Sequence, residues 1–343
     1  MCISMTETKR KEKIESALKE YMQADASLAN PVRDAMSYAL MAGGKRIRPQ
    51  LMLLTYEAFS LKYGNRNPAD GGAGVSEDDV FQDQIPQDQI PREQQGENVL
   101  PEEVVMTFAV ALEMIHTYSL IHDDLPAMDD DSLRRGKPTV HVAFGEDIAI
   151  LAGDGLLNLA YEVAAGAMEM VPENRRIEKA MYFLARRPGL YGMLGGQTAD
   201  VTLAGKKLSD EQLEFIYAYK TAALLECAMQ IGAVLGGASE EETENIRKAA
   251  YDVGIAFQVQ DDILDEIGDA ATLGKEVGQD ARNEKTTYVT LHGMEAAEAY
   301  VKEKTDQAED LIRSVFAGKN IAEENLAARE LIAVLQGLVG RKN

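Results

Sequence analysis

The sequence predicts an all-α protein, and three observations support that prediction. Apolar residues recur at three- and four-residue spacings along almost every segment that could be ordered, and no stretch shows a convincing two-residue alternation. Aromatic residues make up only 6% of the chain and tryptophan is absent, so side chains typical of strands are scarce. Alanine, leucine, glutamate and methionine, which favour helix, are abundant. With 343 residues, 45% of them apolar, the chain can bury a sizeable core, and we predict one domain over residues 1–343.

The apolar spacings predict the helices in chain order. Proline fits the first turn of a helix, because its missing N–H has no acceptor within the helix there, and Pro31, Pro49 and Pro101 each stand at such a start. The predicted helices cover residues 9–23, 31–42, 48–63, 101–123, 145–170, 173–203, 209–237, 240–267, 294–316 and 321–338.

Residues 64–99 are the exception to this helical pattern. They contain the pair Gly71-Gly72, three prolines, many carboxylates and a small tandem repeat in which positions 83–86 and 88–91 both read DQIP. Such a composition cannot bury enough apolar surface to order itself. We therefore predict a disordered acidic insert at 64–99, placed between two helices of the single domain.

Charge and cysteine content narrow the classes of function. The formal net charge of -22 argues against a nucleic-acid or anionic-membrane partner. Cys2 and Cys227 are the only cysteines and form no CxxC pair, which is typical of a reducing compartment. The N-terminus lacks the apolar core of a signal peptide, and no uninterrupted apolar run approaches the roughly 20 residues of a membrane span. We expect a cytoplasmic enzyme without a membrane span.

Two aspartate clusters predict a site for divalent metal ions. Asp261 and Asp265 lie one helical turn apart, so their carboxylates share a face, and Asp262 stands between them amid apolar neighbours. A solvated acidic face would have polar neighbours instead. Massed carboxylates in an apolar context need a cation, and oxygen ligands together with a phosphate favour magnesium.

The first cluster comprises Asp123, Asp124 and the run 129–131. Asp123 and Asp129 are six residues apart, a spacing that a regular helix does not place on one face. Pro126 lies between them, and a distortion there could bring the two carboxylates together. A plain acidic loop and a calcium loop are the alternatives, but the calcium-loop pattern is missing.

Cations accompany both clusters, which predicts an anionic substrate. Gly43–Pro49 reads GGKRIRP, and Lys45 and Arg48 could hold one diphosphate together, although a basic helix start would look the same. His116 stands two turns before Asp123, where a core histidine is the alternative. Lys220 lies in a helix among apolar residues and needs an anion nearby, while Thr221 can bend that helix. Further cations that follow the two aspartate clusters are Arg134, Arg135, Lys137 and Lys275.

Taken in order and spacing, the segments GGKRIRP, SLIHDDLPAMDDDSLRRGKPT, YKT and FQVQDDILD resemble those of the trans-prenyl diphosphate synthases, most closely the bacterial-type farnesyl diphosphate synthases. The resemblance covers nearly the whole chain apart from 64–99. It implies an isoprenoid synthase fold, a helical bundle around a central active-site cavity, usually in a homodimer. It also implies condensation of isopentenyl diphosphate with dimethylallyl and geranyl diphosphate, dependent on three Mg²⁺ per site, for which Mn²⁺ can substitute.

The resemblance also assigns roles to individual residues. Asp123, Asp129 and Asp261 would ligate metal, with Asp124, Asp262 and Asp265 in support. The allylic diphosphate would be held by Arg134, Lys220 and Lys275, and isopentenyl diphosphate by Lys45, Arg48, His116 and Arg135. Thr221 and Gln258 would place oxygen dipoles beside the developing carbocation. The catalytic set is Asp123, Asp129, Asp261, Lys220, Thr221 and Gln258.

Product length is expected to depend on Tyr118, five residues before Asp123. A bulky ring there should stop elongation early, as in the family's C15 members, so we predict farnesyl diphosphate. A geranylgeranyl diphosphate synthase is the main alternative, in which Tyr118 packs in the core and another residue forms the floor. A terpene cyclase lacks GGKRIRP, and a non-catalytic partner subunit often loses Asp or Arg members that are all present here. Glu284 and Val289 depart from the glycine and proline common at those family positions.

Overall fold

The computed structural model describes residues 6–23, 30–64, 100–267, 286–317 and 325–340, and these ranges confirm the all-α prediction. The helices, in chain order, are α1 (Glu7–Gln23), α2 (Pro31–Leu40), α3 (Ile47–Gly64), α4 (Glu102–Asp123), α5 (Val140–Phe144), α6 (Glu146–Met170), α7 (Arg175–Arg186), α8 (Met193–Leu203), α9 (Asp210–Ile216), a π-helical turn (Tyr217–Ala222), α10 (Ala223–Leu235), α11 (Glu240–Ile267), α12 (Tyr288–His292), α13 (Met294–Val315) and α14 (Leu326–Val339). The predicted insert falls almost entirely on 65–99, outside the described residues, and the single-domain prediction stays a prediction.

Helix starts follow the predicted proline positions. Asn30 caps α2 with its side-chain oxygen, which accepts from the Val32 backbone N–H at 3.0 Å, and Pro31 takes the first helical position. Pro101 is the N-cap of α4, and Pro49 lies in the first turn of α3. Proline is therefore used where the backbone has no need of its missing donor.

Two of the predicted helices are interrupted. The stretch 173–203 forms two helices, because α7 ends at Arg186 and the chain turns through Pro188 before α8 begins at Met193. Arg187 still has helical geometry, but Pro188 has no backbone N–H to donate to the carbonyl four residues before it, which explains the break. Of the stretch 209–237, residues 210–235 are continuously helical, and Tyr217–Ala222 adopts π geometry between α9 and α10.

A two-stranded hairpin was not predicted. β1 (Leu133–Arg134) pairs antiparallel with β2 (Lys137–Pro138), with Leu133 opposite Pro138 and Arg134 opposite Lys137. The two residues of the turn, Arg135 and Gly136, have φ values of 54° and 74°, as the tightest hairpin turns require. Strands of two residues are too short to produce an alternating pattern in the sequence.

The core centres on α10. All thirteen of its residues are buried, and it packs between α3 and α11. Helix α4 runs beside it, packs along α6, and buries more than half of its length. At the edge of the bundle, buried Arg10 of α1 donates to Glu330 of α14 at 2.9 Å and lies 3.6 Å from Glu57 of α3. That cluster joins the first and last described helices to the core.

Two helices among the described residues are long and apolar enough to cross a membrane, judged by length and composition alone. They are Glu102–Asp123 and Glu146–Met170, with 72% and 39% of their most apolar windows buried inside the protein. Helices in the cores of water-soluble proteins meet the same criterion, and α4 is packed as one of them. The expectation that no segment spans a membrane stays a prediction.

Candidate active site

The first aspartate cluster begins where α4 ends. Helix α4 stops at Asp123, and the chain turns so that the Asp129 backbone N–H donates to the Asp123 carbonyl at 2.9 Å. Asp130 N–H donates to the Leu125 carbonyl at 3.2 Å. Pro126 lies within this turn, so α4 ends before the proline instead of continuing through it as a distorted helix. Asp123 and Asp129 are nevertheless brought together, joined by a backbone hydrogen bond.

The Asp123 carboxylate is held in a position that disfavours its charge. Burial raises the pKa of Asp123 to about 6; the neighbouring Asp129 and Asp124 add to this rise, while Lys220 opposes it. Gln197 of α8 donates its side-chain amide to Asp123 Oδ1 at 2.9 Å. A carboxylate so placed is stabilised by any cation that reaches it.

Asp124 binds Arg134, whereas Asp123 accepts from Gln197. The Arg134 Nε donates to both Asp124 oxygens, at 2.7 and 2.9 Å, and a second guanidinium nitrogen lies 3.4 Å from Asp131. Asp124 is buried and burial raises its pKa, while Arg134 lowers it. The hairpin arginine is therefore fixed beside the acidic turn by a charge-assisted pair.

The second cluster lies near the C-terminal end of α11. Asp262 and Asp265 are buried, and Asp261 is half-buried. Asp262 accepts hydrogen bonds from the Tyr217 hydroxyl of the π turn and, at 3.0 Å, from the Tyr288 backbone N–H of α12. The second cluster is thus connected directly to the π turn.

The π turn also carries the predicted Lys220 and Thr221. Lys220 Nζ donates to Asp200 of α8 at 2.5 Å. Burial lowers the pKa of Lys220, but the carboxylates of Asp200, Asp123 and Asp129 together more than offset this, and the pKa is raised. Thr221 Oγ1 donates to Gln258 Oε1 of α11 at 2.8 Å. The side chains of Lys220 and Thr221 are both held by neighbouring helices.

These groups converge on a cleft of about 410 Å³. Both aspartate clusters reach it, through Asp129 and Asp262, together with Lys220, Thr221 and Gln258. The other predicted residues of the two clusters and their surroundings are not among its lining residues: Asp123, Asp124, Asp261, Asp265, Arg134 and Tyr118. The apolar residues that line the cleft are Met128, Val201, Leu203, Leu208, Leu213 and Ile216.

A second cavity of about 410 Å³ gathers the other predicted cations. Lys45, Arg48, His116 and Arg135 line it, together with Glu113 of α4. The Arg48 Nε is buried and has no hydrogen-bond partner among the described residues. Burial lowers the pKa of Arg48, and burial with the nearby arginines holds the pKa of His116 well below its usual range. The positively charged residues of the lining outnumber its one carboxylate, Glu113, as expected of an anion site.

Arg46, which the motif analysis did not single out, supports this cavity. Its backbone is left-handed, with a φ of 50°, and its buried guanidinium donates to Glu15 and Glu113, each at 2.7 Å, and to the Leu40 carbonyl at 2.5 Å. With Arg46 turned inward, Lys45 on one side remains exposed. Arg135 reaches across from the hairpin and donates to the Gly43 carbonyl.

The donors fit divalent metal ions by their chemistry. The described residues contain no set of three His, Cys, Asp or Glu side chains already gathered at ligand distance. The two aspartate clusters nevertheless supply only hard carboxylate oxygens to one cleft, and magnesium takes one or two carboxylates and fills its other positions with water and phosphate. Lys275 lies outside the described residues, as does Glu284. Val289 lies in α12, which Thr287 caps.

Besides Arg46, sequence reasoning missed the supporting residues Gln197, Asp200 and Glu113. Gln197 and Asp200 are three residues apart on α8, which places them on one helix face, and that face meets Asp123 and Lys220. The amide and carboxylate in GGQTAD, between apolar residues, were the available signal. Glu113 stands three residues before His116, also on one face.

Comparison with known proteins agrees with these features. Residues 29–326 match the polyprenyl synthetase family. Over 283 residues the chain is 40% identical to the heterodimeric geranylgeranyl pyrophosphate synthase large subunit 1 of Arabidopsis thaliana, covering 81% of this chain and 66% of that protein. It is 39% identical over 289 residues to the farnesyl diphosphate synthase of Geobacillus stearothermophilus, covering 84% of each.

A solved structure shares the fold. The geranyltransferase of Helicobacter pylori, complexed with magnesium and isoprenyl diphosphate, gives a TM-score of 0.74 at 27% identity and covers 98% of this chain and 100% of that chain. The predicted isoprenoid synthase fold is therefore confirmed. Relatives with farnesyl and with geranylgeranyl names match about equally well, so similarity leaves the product length undecided. The chain belongs to the polyprenyl synthetase family and is a prenyltransferase.

Proposed function

We propose that this protein catalyses the Mg²⁺-dependent condensation of isopentenyl diphosphate with dimethylallyl and then geranyl diphosphate, giving farnesyl diphosphate. The observation that carries the proposal is the pair of neighbouring cavities. One combines both aspartate clusters with Lys220. The other is lined mainly by cations, and its one carboxylate, Glu113, is already paired with Arg46. The reaction joins two diphosphate esters, of which only the allylic one must ionise. It therefore needs one site with metal-binding carboxylates for the allylic ester and a separate cationic site for the other ester.

We assign the metal-holding role to Asp123, Asp129 and Asp261, with Asp124, Asp262 and Asp265 in support and three Mg²⁺ per site. Mn²⁺ should substitute, because it accepts the same oxygen donors. The bound ions supply charge stabilisation for the departing diphosphate. Gln197 orients the Asp123 carboxylate through its hydrogen bond, and Tyr217 does the same for Asp262.

Substrate binding follows from the cations. Arg134, Lys220 and Lys275 hold the allylic diphosphate in this proposal, and Lys45, Arg48, His116 and Arg135 hold that of isopentenyl diphosphate. With its lowered pKa, His116 is neutral at pH 7 and donates one hydrogen bond without adding charge. The unpartnered Arg48 Nε gains an acceptor when the diphosphate binds.

The chemical step needs little from side chains beyond positioning. The allylic C–O bond breaks, the isopentenyl double bond forms the new C–C bond with the resulting cation, and a proton leaves. No side chain of the cleft stands out as a general base, so the departing diphosphate accepts that proton. The Thr221–Gln258 hydrogen bond of 2.8 Å fixes two oxygen dipoles in the cleft, where they stabilise positive charge.

We also propose that Tyr118 sets the C15 product. It is half-buried on α4, with its ring 5.8 Å from that of His122, and burial, with contributions from Tyr161 and Asp123, raises the pKa of Tyr118 to about 12. It lies on the part of α4 that leads to Asp123. A geranylgeranyl diphosphate synthase is the second candidate, because a relative with that name matches at 40% identity.

Product analysis by mass spectrometry tests both proposals. Purified protein would receive dimethylallyl and isopentenyl diphosphates with Mg²⁺, and a chelator in the control. A C15 product that the chelator abolishes, and that becomes C20 or longer in Tyr118→Ala, is the expected result. A C20 product from the unsubstituted enzyme would keep the chemistry and overturn the role of Tyr118. Folded protein that forms no product would favour the partner-subunit alternative.

The apolar surface supports a homodimer as the active form. Helix α6 exposes Ile150, Leu151 and Met170, each to 45% or more. Leu190 and Tyr191, just before α8, are 73% and 65% exposed. Several large apolar side chains exposed on one surface indicate a site of association with another protein. We propose that a second copy of the chain covers α6.

A further inference from the structure

We propose that Gly196 and Gly254 are positioning residues that hold the π turn from two neighbouring helices, and so place Lys220 and Thr221 for catalysis. The inference rests on the proposed function, because it assigns catalytic value to the placement of these two side chains. Gly196 lies on α8 and Gly254 on α11, and as glycines they act only by letting another backbone come close.

The π turn is an exception within a regular helix. Six residues, Tyr217–Ala222, follow α9 directly and lead directly into α10. A π-helical segment contains one more residue per turn than the α-helix requires, is rarely stable alone, and recurs at functional sites. Tertiary packing must therefore maintain it. Three of its side chains, those of Tyr217, Lys220 and Thr221, hold Asp262, Asp200 and Gln258.

Gly196 of α8 lies against the backbone of this turn. A Cβ atom at Gly196 would lie 2.1 Å from the Lys220 backbone nitrogen, 2.5 Å from the Tyr219 carbonyl carbon and 2.8 Å from the Lys220 Cα. All three are backbone atoms, so rotation of a side chain cannot relieve the overlap. The next residue of α8 is Gln197 and the fourth is Asp200, which place α8 against both Asp123 and Lys220.

Gly254 of α11 makes the matching contact at the end of the turn. Its Cβ would lie 2.3 Å from the Ala222 Cβ and 2.6 Å from the Ala222 Cα. Glycine is unfavourable inside a helix compared with alanine, so its presence where a helix meets a backbone indicates a packing requirement. Gly254 stands one turn before Gln258, whose side chain accepts from Thr221. Both glycines thus flank the residues that carry the chemistry.

The expected effect of a methyl group is specific to one substrate. Gly196→Ala must move Lys220 away from α8, and a displacement of about 1 Å at a catalytic group can cost on the order of 100-fold in rate. We expect kcat to fall by about that factor and KM for the allylic diphosphate to rise. KM for isopentenyl diphosphate should not change, because Lys45, Arg48 and Arg135 lie on other elements. Partial unfolding would instead lower the apparent kcat and leave both KM values unchanged.

Gly232→Ala is the matched control. Its Cβ would lie 2.3 Å from the Met52 backbone oxygen at the contact of α10 with α3, the same closest distance as at Gly254 and close to the 2.1 Å at Gly196. Gly232 lines neither cavity. This variant should lower Tm but leave both KM values as in the unsubstituted enzyme. Gly166→Ala, whose Cβ would meet nothing within 4 Å, reports the effect of the substitution alone.

Should Gly196→Ala fail to fold, a second pair of variants decides. Gly254→Ala should raise the allylic KM and lower kcat, and Ala222→Gly in the same chain should recover part of both, because it removes one of the two overlapping atoms. Unchanged kinetics in Gly196→Ala and Gly254→Ala would overturn the inference, as would an equal allylic KM rise in Gly232→Ala. If the unsubstituted enzyme forms no product, the proposed function fails instead. Calorimetric titration with inorganic diphosphate and Mg²⁺ then still shows whether the two glycines place Lys220.

Discussion

Charged side chains in the interior divide into those that are paired and those that are left for a ligand. Arg46 is enclosed by Glu15, Glu113 and a carbonyl, and Arg134 by Asp124. Arg48 and His116 line the same cavity as Arg46, but their pKa values are lowered. The paired arginines are fixed by carboxylates, whereas the Arg48 Nε has no partner among the described residues and, with the neutral His116, is left to bind an anion.

Removing Glu113 should destabilise the fold. In Glu113→Gln the buried Arg46 loses one of its two carboxylates, and breaking a buried pair by removing one partner costs about 3 kcal/mol or more. Urea unfolding followed by circular dichroism measures the loss. Asp306→Asn, which removes the exposed partner of Lys302, is the control and should leave the midpoint unchanged. An unchanged midpoint in Glu113→Gln would show that Glu15 alone suffices for Arg46.

Gln197 should control metal affinity without touching metal. Its amide orients the Asp123 carboxylate at 2.9 Å, and loss of such an outer partner typically weakens metal binding or activity by about 10–100-fold. In Gln197→Ala the Mg²⁺ concentration that gives half-maximal rate should rise accordingly. Gln336→Ala, which removes an exposed bond to Glu309, should not shift it. A lower rate at an unchanged Mg²⁺ midpoint would argue against the orienting role.

Among the secondary-structure elements, the short hairpin joins the acidic turn after α4 to the GGKRIRP loop. Arg134 on β1 binds the acidic turn through Asp124, and Arg135 in the adjoining turn reaches the Gly43 carbonyl. A Cβ at Gly44 would lie 3.0 Å from the Arg135 guanidinium, so the GGKRIRP loop is shaped to receive that side chain. Two neighbouring residues are thus held by different loops.

Gly136 is the residue on which this hairpin depends. Its φ of 74° is left-handed and no atom lies within 4 Å of its would-be Cβ, so Gly136→Ala adds only backbone strain, about 1 kcal/mol. We expect KM for isopentenyl diphosphate to rise as Arg135 shifts. Gly293→Ala carries the same kind of strain, at a φ of 84° with open space, between α12 and α13. Equal KM values in the two variants would contradict the assignment of Arg135.

Helices in which apolar residues recur with the helical period could be predicted from the sequence. Elements that depend on contacts with distant parts of the chain could not. The apolar spacing of α4 and α11 gave both helices within a residue or so. The π turn depends on glycines 20 or more residues away along the chain, and the pairs Lys220–Asp200 and Arg46–Glu15 join residues 20 and 31 apart. No local pattern contains such pairings. The site motifs could be recognised in the sequence because each is contiguous. Their supporting residues could not be recognised, because they lie on other helices.

The whole molecule carries a net charge of -22, yet its proposed substrates are anions. The long-range field therefore opposes binding, and the local cations must dominate within about 10 Å, the distance over which salt screens charges at 0.1 M. Because those cations lie in cavities, away from the acidic surface, they need to attract the diphosphate only over a short distance. It also explains why half-buried groups such as Arg48 and Lys220 accompany the exposed Lys45.

Association of two copies should depend on α6. Sedimentation should give twice the 37.5 kDa chain mass, and Ile150→Asp with Leu151→Asp should give the single-chain mass, because two charges replace apolar surface. Leu326→Asp, at a side chain that is 46% exposed on α14, is the control and should leave the mass unchanged. A single-chain mass for the unsubstituted protein, or dissociation of the control as well, would place the contact elsewhere.

The π turn has a consequence for how such chains diverge. One extra residue in a helix rotates everything after it by about 100°, and all thirteen residues of α10 are buried in their present orientation. Deleting a residue from 217–222 would therefore misorient the centre of the bundle unless α10 also changed. A lineage that lost the chemistry would be free to lose that residue and repack. A one-residue gap at this point, with altered apolar spacing behind it, would mark in sequence alone a descendant that no longer ionises an allylic ester.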